Sequence, residues 1–192
     1  MKRAIRIILL GLVALVAFIQ SRPATFHVER SVTIAASNEA VFAILDDFHH
    51  WGAWSPWEKL DPGMTRSYGG AERGVGATYH WSGNDKVGVG SMAITSEQPD
   101  SKIGIQLEFL KPFKASNVAT FALAPDGAGT KVTWGIDGKN NFISKAMCLF
   151  TSMDKMMGPD FERGLGNLKG IAEAGAAPPP ADSTAAAATP AK

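Results

Sequence analysis

The sequence predicts an α+β domain in which a curved, seven-stranded antiparallel sheet wraps around a long C-terminal helix, with short helices after the first strand. Residues 26–34 alternate between apolar and polar side chains, and residues 64–136 contain six more short alternating runs. Residues 142–173 repeat apolar side chains at steps of three and four. Alternation indicates strands with one buried face, whereas steps of three and four indicate an amphipathic helix.

The first strand and the helix that follows it are predicted from residues 26–48. Phe26, Val28, Val32 and Ile34 occupy alternate positions, as in a half-buried strand. Ser37 or Asn38 can cap a helix, and apolar residues then recur at helical spacing from position 41 to position 48. We expect this helix to end near residue 49.

The central part of the chain is predicted to be a β-meander. Its alternating runs lie around residues 64–68, 77–81, 87–95, 102–109, 115–123 and 131–136. The connections between them are too short to contain a crossover helix, so neighbouring strands should be antiparallel. Together with the first strand they predict a seven-stranded meander.

The last predicted helix covers residues 142–173 and carries one apolar face. Gly158 and Pro159 interrupt it. Two interpretations are open, because proline either kinks a helix or occupies the first position of a new one.

Both ends of the chain are predicted to lie outside the domain of residues 26–173. Residues 1–25 begin with Lys2, Arg3 and Arg6 and continue with an uncharged, mostly apolar run, which is typical of a targeting or anchoring segment. The basic residues favour a cytoplasmic N-terminus, so we expect a membrane anchor with the domain outside the cytoplasm, in the periplasm or at the cell surface. Secretion after cleavage is the alternative. Residues 174–192 are rich in alanine and proline, which predicts a disordered tail.

Composition argues against several classes of site. The chain has 19 basic and 18 acidic residues without a basic stripe, so we expect no nucleic-acid partner. Cys148 is the single cysteine, and the four histidines lack the spacing of a metal site, so we expect no metal and no cofactor. The acidic residues Asp46, Asp47, Glu58 and Asp61 are interpreted as solvated charges. The sequence leaves the oligomeric state open.

The inward face of the predicted sheet is almost wholly apolar, and Asn117 is its main polar exception. No His, Asp, Glu or Lys points inward from the sheet in this register. General acid–base catalysis needs such a group, whereas binding of an apolar ligand does not. The pattern therefore favours ligand binding.

Aromatic and sulfur-containing residues supply the candidate cavity wall. Trp51, Trp54 and Trp57 lie within seven residues, and they can either close the mouth of a pocket or fill a corner of the core. The methionines of the last helix suit either a core or an adaptable cavity. The predicted ligand-binding residues are Trp54, Trp57, Tyr79, Trp81, Met92, Phe109, Asn117, Phe121, Trp134, Met153 and Met157.

The ordered combination of several short motifs resembles the START-like superfamily (SRPBCC), in its bacterial branch labelled polyketide cyclase/dehydrase. The motifs are the first strand, the helix start Glu-Ala-Val-Phe at 39–42, the tryptophan segment 51–57, Gly-Val-Gly-Ala at 74–77, Thr-Lys-Val-Thr-Trp at 130–134 and the segment 161–169. The resemblance covers about residues 26–173. It implies a helix-grip fold, a cavity between the sheet and the long helix, and binding of hydrophobic small molecules.

Three functions follow as hypotheses. The first is binding of a hydrophobic or aromatic small molecule, lipid-like or polyketide-like, for transport, sensing or sequestration, by a protein that contacts the membrane through its N-terminal segment. The second is a cofactor-free cyclase, dehydratase or hydrolase, for which His80, Glu108, Asp46 and Asp137 are the nearest candidate residues. The third is a cavity-free domain that binds another protein.

Overall fold

The structure is a computed structural model that describes residues 2–175, so the predicted tail lies almost entirely outside the described residues. The helices are α1 (Lys2–Gln20), α2 (Asn38–Leu45), α3 (Trp51–Trp54), α4 (Phe142–Met147) and α5 (Met153–Glu173). The strands are β1 (Thr25–Ile34), β2 (Thr65–Gly70), β3 (Ala77–Ser82), β4 (Val89–Gln98), β5 (Lys102–Lys111), β6 (Ala115–Asp126) and β7 (Gly129–Lys139).

The seven strands form one antiparallel sheet in the order β1-β7-β6-β5-β4-β3-β2, which confirms the predicted fold class. The meander contains only β2 to β7, because β1 pairs with β7 at the far edge. The prediction of a seven-stranded meander was wrong on this point. The segment between β1 and β2 holds α2 and α3, and it is long enough to cross the concave face from one edge of the sheet to the other.

The helix after β1 is shorter than predicted. Ser37 caps α2 and accepts a hydrogen bond from the backbone N–H of Ala40 at 3.2 Å. The helix ends at Leu45, and the Asp47 carboxylate then accepts from the backbone N–H of His49 at 2.8 Å. This second cap starts a 3-10 turn, Phe48–His50, that leads directly into α3.

The C-terminal helical region is divided at residues 148–152 rather than at Pro159. Ser152 caps α5, and its hydroxyl accepts a hydrogen bond from the backbone N–H of Lys155 at 3.2 Å. Pro159 lies inside α5. The interpretation of Pro159 as the first residue of a new helix is therefore wrong, because the Ser152 cap starts α5 more than one turn earlier.

Helix α5 packs along the β1 side of the concave face. Arg30 of β1 forms ion pairs with Asp154 at 2.7 Å and with Glu162 at 2.8 Å. The ring of Phe161 stacks on Trp134 of β7, with centroids 4.2 Å apart and an interplanar angle of 3°. Because α5 is fixed at this side, the concave face over β3, β4 and β5 is left for other residues to cover.

Helix α1 exposes its apolar side chains, and Ile19 is its buried residue. Its 19 residues correspond to about 28 Å of helix at about 1.5 Å per residue. It is long and apolar enough to cross a membrane, a property that signal sequences share. The structured helix is thus longer than the apolar run at residues 7–19 alone.

Candidate ligand-binding cavity

A partly open cavity of about 220 Å³ lies between the concave face of the sheet, helix α5 and the segment from α3 to β2. Its wall is mostly aromatic and aliphatic. A dry apolar cavity of about 150 Å³ is large enough to bind benzene, whereas drug-sized ligands occupy about 300 Å³ or more. The volume therefore suits a molecule of one or two rings, or the end of a longer apolar chain.

Most of the predicted ligand-binding residues meet at this cavity. Those that line it are Trp57, Tyr79, Trp81, Met92, Phe109, Trp134 and Met157. Trp54, Asn117, Phe121 and Met153 lie outside the wall. The sheet residues among the first group share the inward face, as the alternation predicted.

The residues outside the wall are placed by packing that the strand pattern does not show. Trp54 is fully buried, and its ring meets Trp134 edge-on at 5.5 Å. Phe121 is also fully buried and stacks against Trp134 at 5.1 Å. Asn117 is buried on β6 beyond the cavity wall, and Met153 is the first residue of α5. Trp54 and Phe121 thus support the wall residue Trp134 from behind.

The tryptophan segment fills the core and lines the cavity at the same time. Trp54 points into the core, whereas Trp51 and Trp57 contribute to the wall. Trp51 is held in place because its Nε1–H donates to the carbonyl oxygen of Leu45 at 3.1 Å. The segment therefore fills the core with Trp54 and lines the cavity with Trp51 and Trp57, so each of the two interpretations holds for different residues.

Sequence reasoning missed several residues of the wall. They are Trp51, Ser55, Glu58, Met64, Lys86, Val87, Leu107, Ala119, Ile136, Asp160 and Phe161. Leu107, Ile136 and Phe161 lie on faces that the periodicity had marked as apolar, so the pattern could have included them. Glu58 had been interpreted as a solvated charge, and this interpretation was wrong.

Glu58 carries a buried carboxylate at the cavity wall. Its side chain is only 8% exposed, and it accepts from Arg66 Nε at 2.6 Å and from the hydroxyl of Tyr79 at 2.6 Å. Arg66 also donates to the carbonyl oxygens of Glu58 and Met64, at 3.0 and 2.9 Å. We call Glu58, Arg66 and Tyr79 the Glu58 cluster. A buried carboxylate requires such partners, because burial without them is strongly unfavourable.

The electrostatics of the Glu58 cluster keep Tyr79 protonated. Burial, followed by the neighbouring Glu58 carboxylate, raises the pKa of Tyr79 above its usual value. The hydroxyl therefore remains a donor to Glu58. A carboxylate offers about four acceptor positions, so these two donors leave room for one from a ligand.

The four candidate residues of the catalytic hypothesis do not reach the cavity. His80 and Asp137 are exposed, and Asp137 pairs with His27 at 2.8 Å. Glu108 accepts hydrogen bonds from Gln106 and Ser116 on the convex face. Asp46 is buried at the end of α2, so its interpretation as a solvated charge was also wrong, and burial raises its pKa to about 6. None of these four residues belongs to the cavity wall.

Among residues 2–175, the His, Cys, Asp and Glu side chains form no group of three that could hold a metal ion. The ionisable members of the wall are Glu58, Tyr79, Lys86 and Asp160. These side chains can form hydrogen bonds to a ligand and can accept or donate protons.

Solved structures share the fold of this chain at low sequence identity. Protein MLL2253 from Mesorhizobium loti is 19% identical with a TM-score of 0.54, over 77% of this chain and 95% of its own. The Aha1 protein from Colwellia psychrerythraea, solved as a dimer, is 17% identical with a TM-score of 0.51, over 78% and 98%. DynU16, encoded in the dynemicin biosynthetic locus, is 16% identical with a TM-score of 0.55, over 79% and 48%.

Comparison of the sequence itself identifies a family. No protein of curated function matches the chain significantly. A family model does match, over residues 25–173, and this range contains the whole sheet, α5 and every residue of the cavity wall. The chain therefore belongs to the family described as polyketide cyclase / dehydrase and lipid transport.

Proposed function

We propose that this protein binds a small hydrophobic or aromatic molecule in the cavity between the sheet and α5, for transport, sensing or sequestration. The observation that carries the proposal is the largely apolar wall of a cavity of about 220 Å³ with a single buried carboxylate. Burial of apolar ligand surface contributes about 25 cal/mol per Å². The Glu58 carboxylate adds selectivity for a ligand that carries one hydroxyl or amide donor.

A fluorescence titration tests this proposal directly. Trp51, Trp57, Trp81 and Trp134 all line the cavity, so a bound ligand should change the intrinsic emission. Full-length protein titrated with one-ring and two-ring phenols should give a saturable change, and the matching hydrocarbons should bind more weakly. A flat response to the whole panel would contradict the proposal. Native mass spectrometry of gently purified protein would in addition reveal a bound cellular ligand.

We further propose that α1 anchors the domain to a membrane and that the domain lies outside the cytoplasm. The length of α1 and its exposed apolar surface support an anchor. Lys2, Arg3 and Arg6 precede the apolar run and favour a cytoplasmic N-terminus. The intact mass of protein extracted from membranes tests this, because cleavage would remove the first residues.

One observation favours a catalytic alternative. The hydrogen-bonded carboxylate of Glu58 and hydroxyl of Tyr79 lie at the wall of the cavity, and a cofactor-free cyclase or dehydratase would need a positioned proton-transfer group of this kind. The test is Glu58→Gln, which keeps the shape and removes the base, with Glu108→Gln on the convex face as its control. If Glu58 is catalytic, the wild-type protein and Glu108→Gln should convert the bound molecule, whereas Glu58→Gln should bind it without converting it. If Glu58 only binds, Glu58→Gln should change the affinity, and none of the three proteins should form a product.

A further inference from the structure

The last turn of α1 is fixed to α4. The ammonium group of Lys145 donates to the carbonyl oxygen of Gln20 at 3.0 Å, and Lys145 itself is only 9% exposed. Because α1 is about as long as the hydrocarbon core of a bilayer is thick, its last residue would lie at the bilayer surface. Helix α4 would then lie at that surface as well.

Helix α4 and the turn after it present large apolar side chains to solvent. Phe142, Ile143 and Met147 are each about half exposed, and Phe150 is 92% exposed. A phenylalanine ring that is almost fully exposed to water contributes no burial energy to the fold. Contiguous exposed apolar residues of this kind mark an interaction surface.

The β5–β6 hairpin brings a second set of such residues to the same end of the sheet. Leu110 and Phe113 are both more than half exposed, and exposed lysines, Lys111 and Lys114, lie beside them. The register places this hairpin with α4, because Asn117 near the start of β6 pairs with Gly138 near the end of β7. Residues 110–114 and 139–150 together include four lysines and no acidic residue.

We propose that α4, Phe150 and the β5–β6 hairpin form a docking face that rests on the surface of the bilayer crossed by α1. This inference rests on the proposed membrane anchor. Apolar side chains interleaved with lysines fit the boundary between acyl chains and anionic headgroups. The continuity with α1 favours lipid over a protein partner, because the anchor holds this face against the membrane.

The docking face adjoins the cavity. Lys86 and Val87 belong to the cavity wall and precede β4, whose first residue Val89 pairs with Lys111 of the hairpin. Met157 of the wall lies one turn into α5, just after α4. Docking therefore places this side of the cavity beside the bilayer, where an apolar ligand has its highest local concentration.

Depth-dependent fluorescence quenching tests the docking face in the full-length protein. Phe150→Cys is made in a Cys148→Ser background, labelled with an environment-sensitive dye, and reconstituted in phosphatidylcholine and phosphatidylglycerol vesicles. The matched control is Ala128→Cys in the same background, an exposed site in the β6–β7 turn. It lies at the other end of β6, a strand of 12 residues that is about 36 Å long at about 3.3 Å per residue.

The docking face predicts a blue-shifted emission at position 150 and several-fold stronger quenching by spin-labelled lipid there than at position 128. If the protein floats with the vesicles but both labels remain in water, the docking face is refuted while the anchor stands. A label at position 150 that is shielded from water but not quenched by lipid would assign the face to a protein partner and refute the proposal. Failure to float with vesicles would refute both the anchor and the docking face.

Discussion

Filling the cavity should stabilise the protein and abolish ligand binding. Ala119 of β6 is buried, lines the cavity and faces it between Ile105 and Ile136 of the neighbouring strands. In a packed core the change Ala119→Phe would cost about 1–3 kcal/mol through overpacking. Here a volume of about 220 Å³ is available, and a cavity of about 150 Å³ already accepts benzene.

The size of the expected stabilisation follows from burial of the new phenylalanine ring. Full burial of a phenylalanine side chain contributes about 1.5–3 kcal/mol. Loss of its rotamer freedom costs about 0.5–1 kcal/mol. We therefore expect Ala119→Phe to raise the free energy of unfolding by about 1–2 kcal/mol and to weaken ligand binding at least about tenfold.

Urea unfolding of the full-length protein in detergent, followed by tryptophan emission, measures the change in stability. The phenol titration measures the change in ligand affinity. The matched control is Ala122→Phe on the same strand, where the side chain is exposed on the convex face. This control should change stability by less than about 0.5 kcal/mol and leave binding intact. If Ala119→Phe instead lowered the free energy of unfolding by more than about 1 kcal/mol, the concave face would already be filled and the cavity would not exist in solution.

Two further predictions concern packing and pH. Gly164→Ala should lower the free energy of unfolding by about 2 kcal/mol, since the new Cβ would lie 2.8 Å from a ring carbon of Trp134. In the same helix, the new Cβ of Gly166→Ala would meet no atom within 4 Å, so this change should raise the free energy of unfolding by about 1 kcal/mol. Thermal melts measure both effects, and shifts of the same sign in the two variants would contradict the prediction. Burial raises the pKa of Asp46 from 3.8 to about 6, so the folded protein binds this proton more tightly than the unfolded chain, and the free energy of unfolding should fall as the pH rises through this window. Asp46→Asn should remove that dependence and be the more stable protein at pH 7 by about 1–2 kcal/mol; identical urea midpoints for both proteins from pH 4 to pH 7 would contradict this.

Local periodicity was sufficient to predict the seven strands and the inward face of the sheet, but not where the helical segments begin and end. Tyr79, Trp81 and Trp134 alternate with polar residues, and alternation in a strand fixes the side on which each side chain lies. The partner of β1 could not be predicted in this way. Alternation describes one strand at a time, whereas the pairing of β1 with β7 depends on how far the helical segment between β1 and β2 carries the chain.

The Glu58 cluster shows why the candidate site was predicted only in part. Glu58 lies in an irregular segment without periodicity, so the sequence offers no local reason for its burial. Its hydrogen-bond partners are 8 and 21 residues away in the chain. Arg66 was the available signal, because it shares the inward face of β2 with Tyr68 and a charged group there requires a partner.

Three features of this protein follow from its amino-acid pattern alone: an apolar concave sheet, a long helix to cover it and an apolar segment at its N-terminus. Each of these is a pattern along one continuous stretch of chain. The choice of which aromatic rings fill the core and which line the cavity depends on tertiary packing. Trp54 and Trp57 are three residues apart and chemically identical, yet one is enclosed by Trp134 and Phe121 and the other faces the cavity. That difference depends on neighbours from distant parts of the chain, because a cavity is the volume that all of them together leave empty.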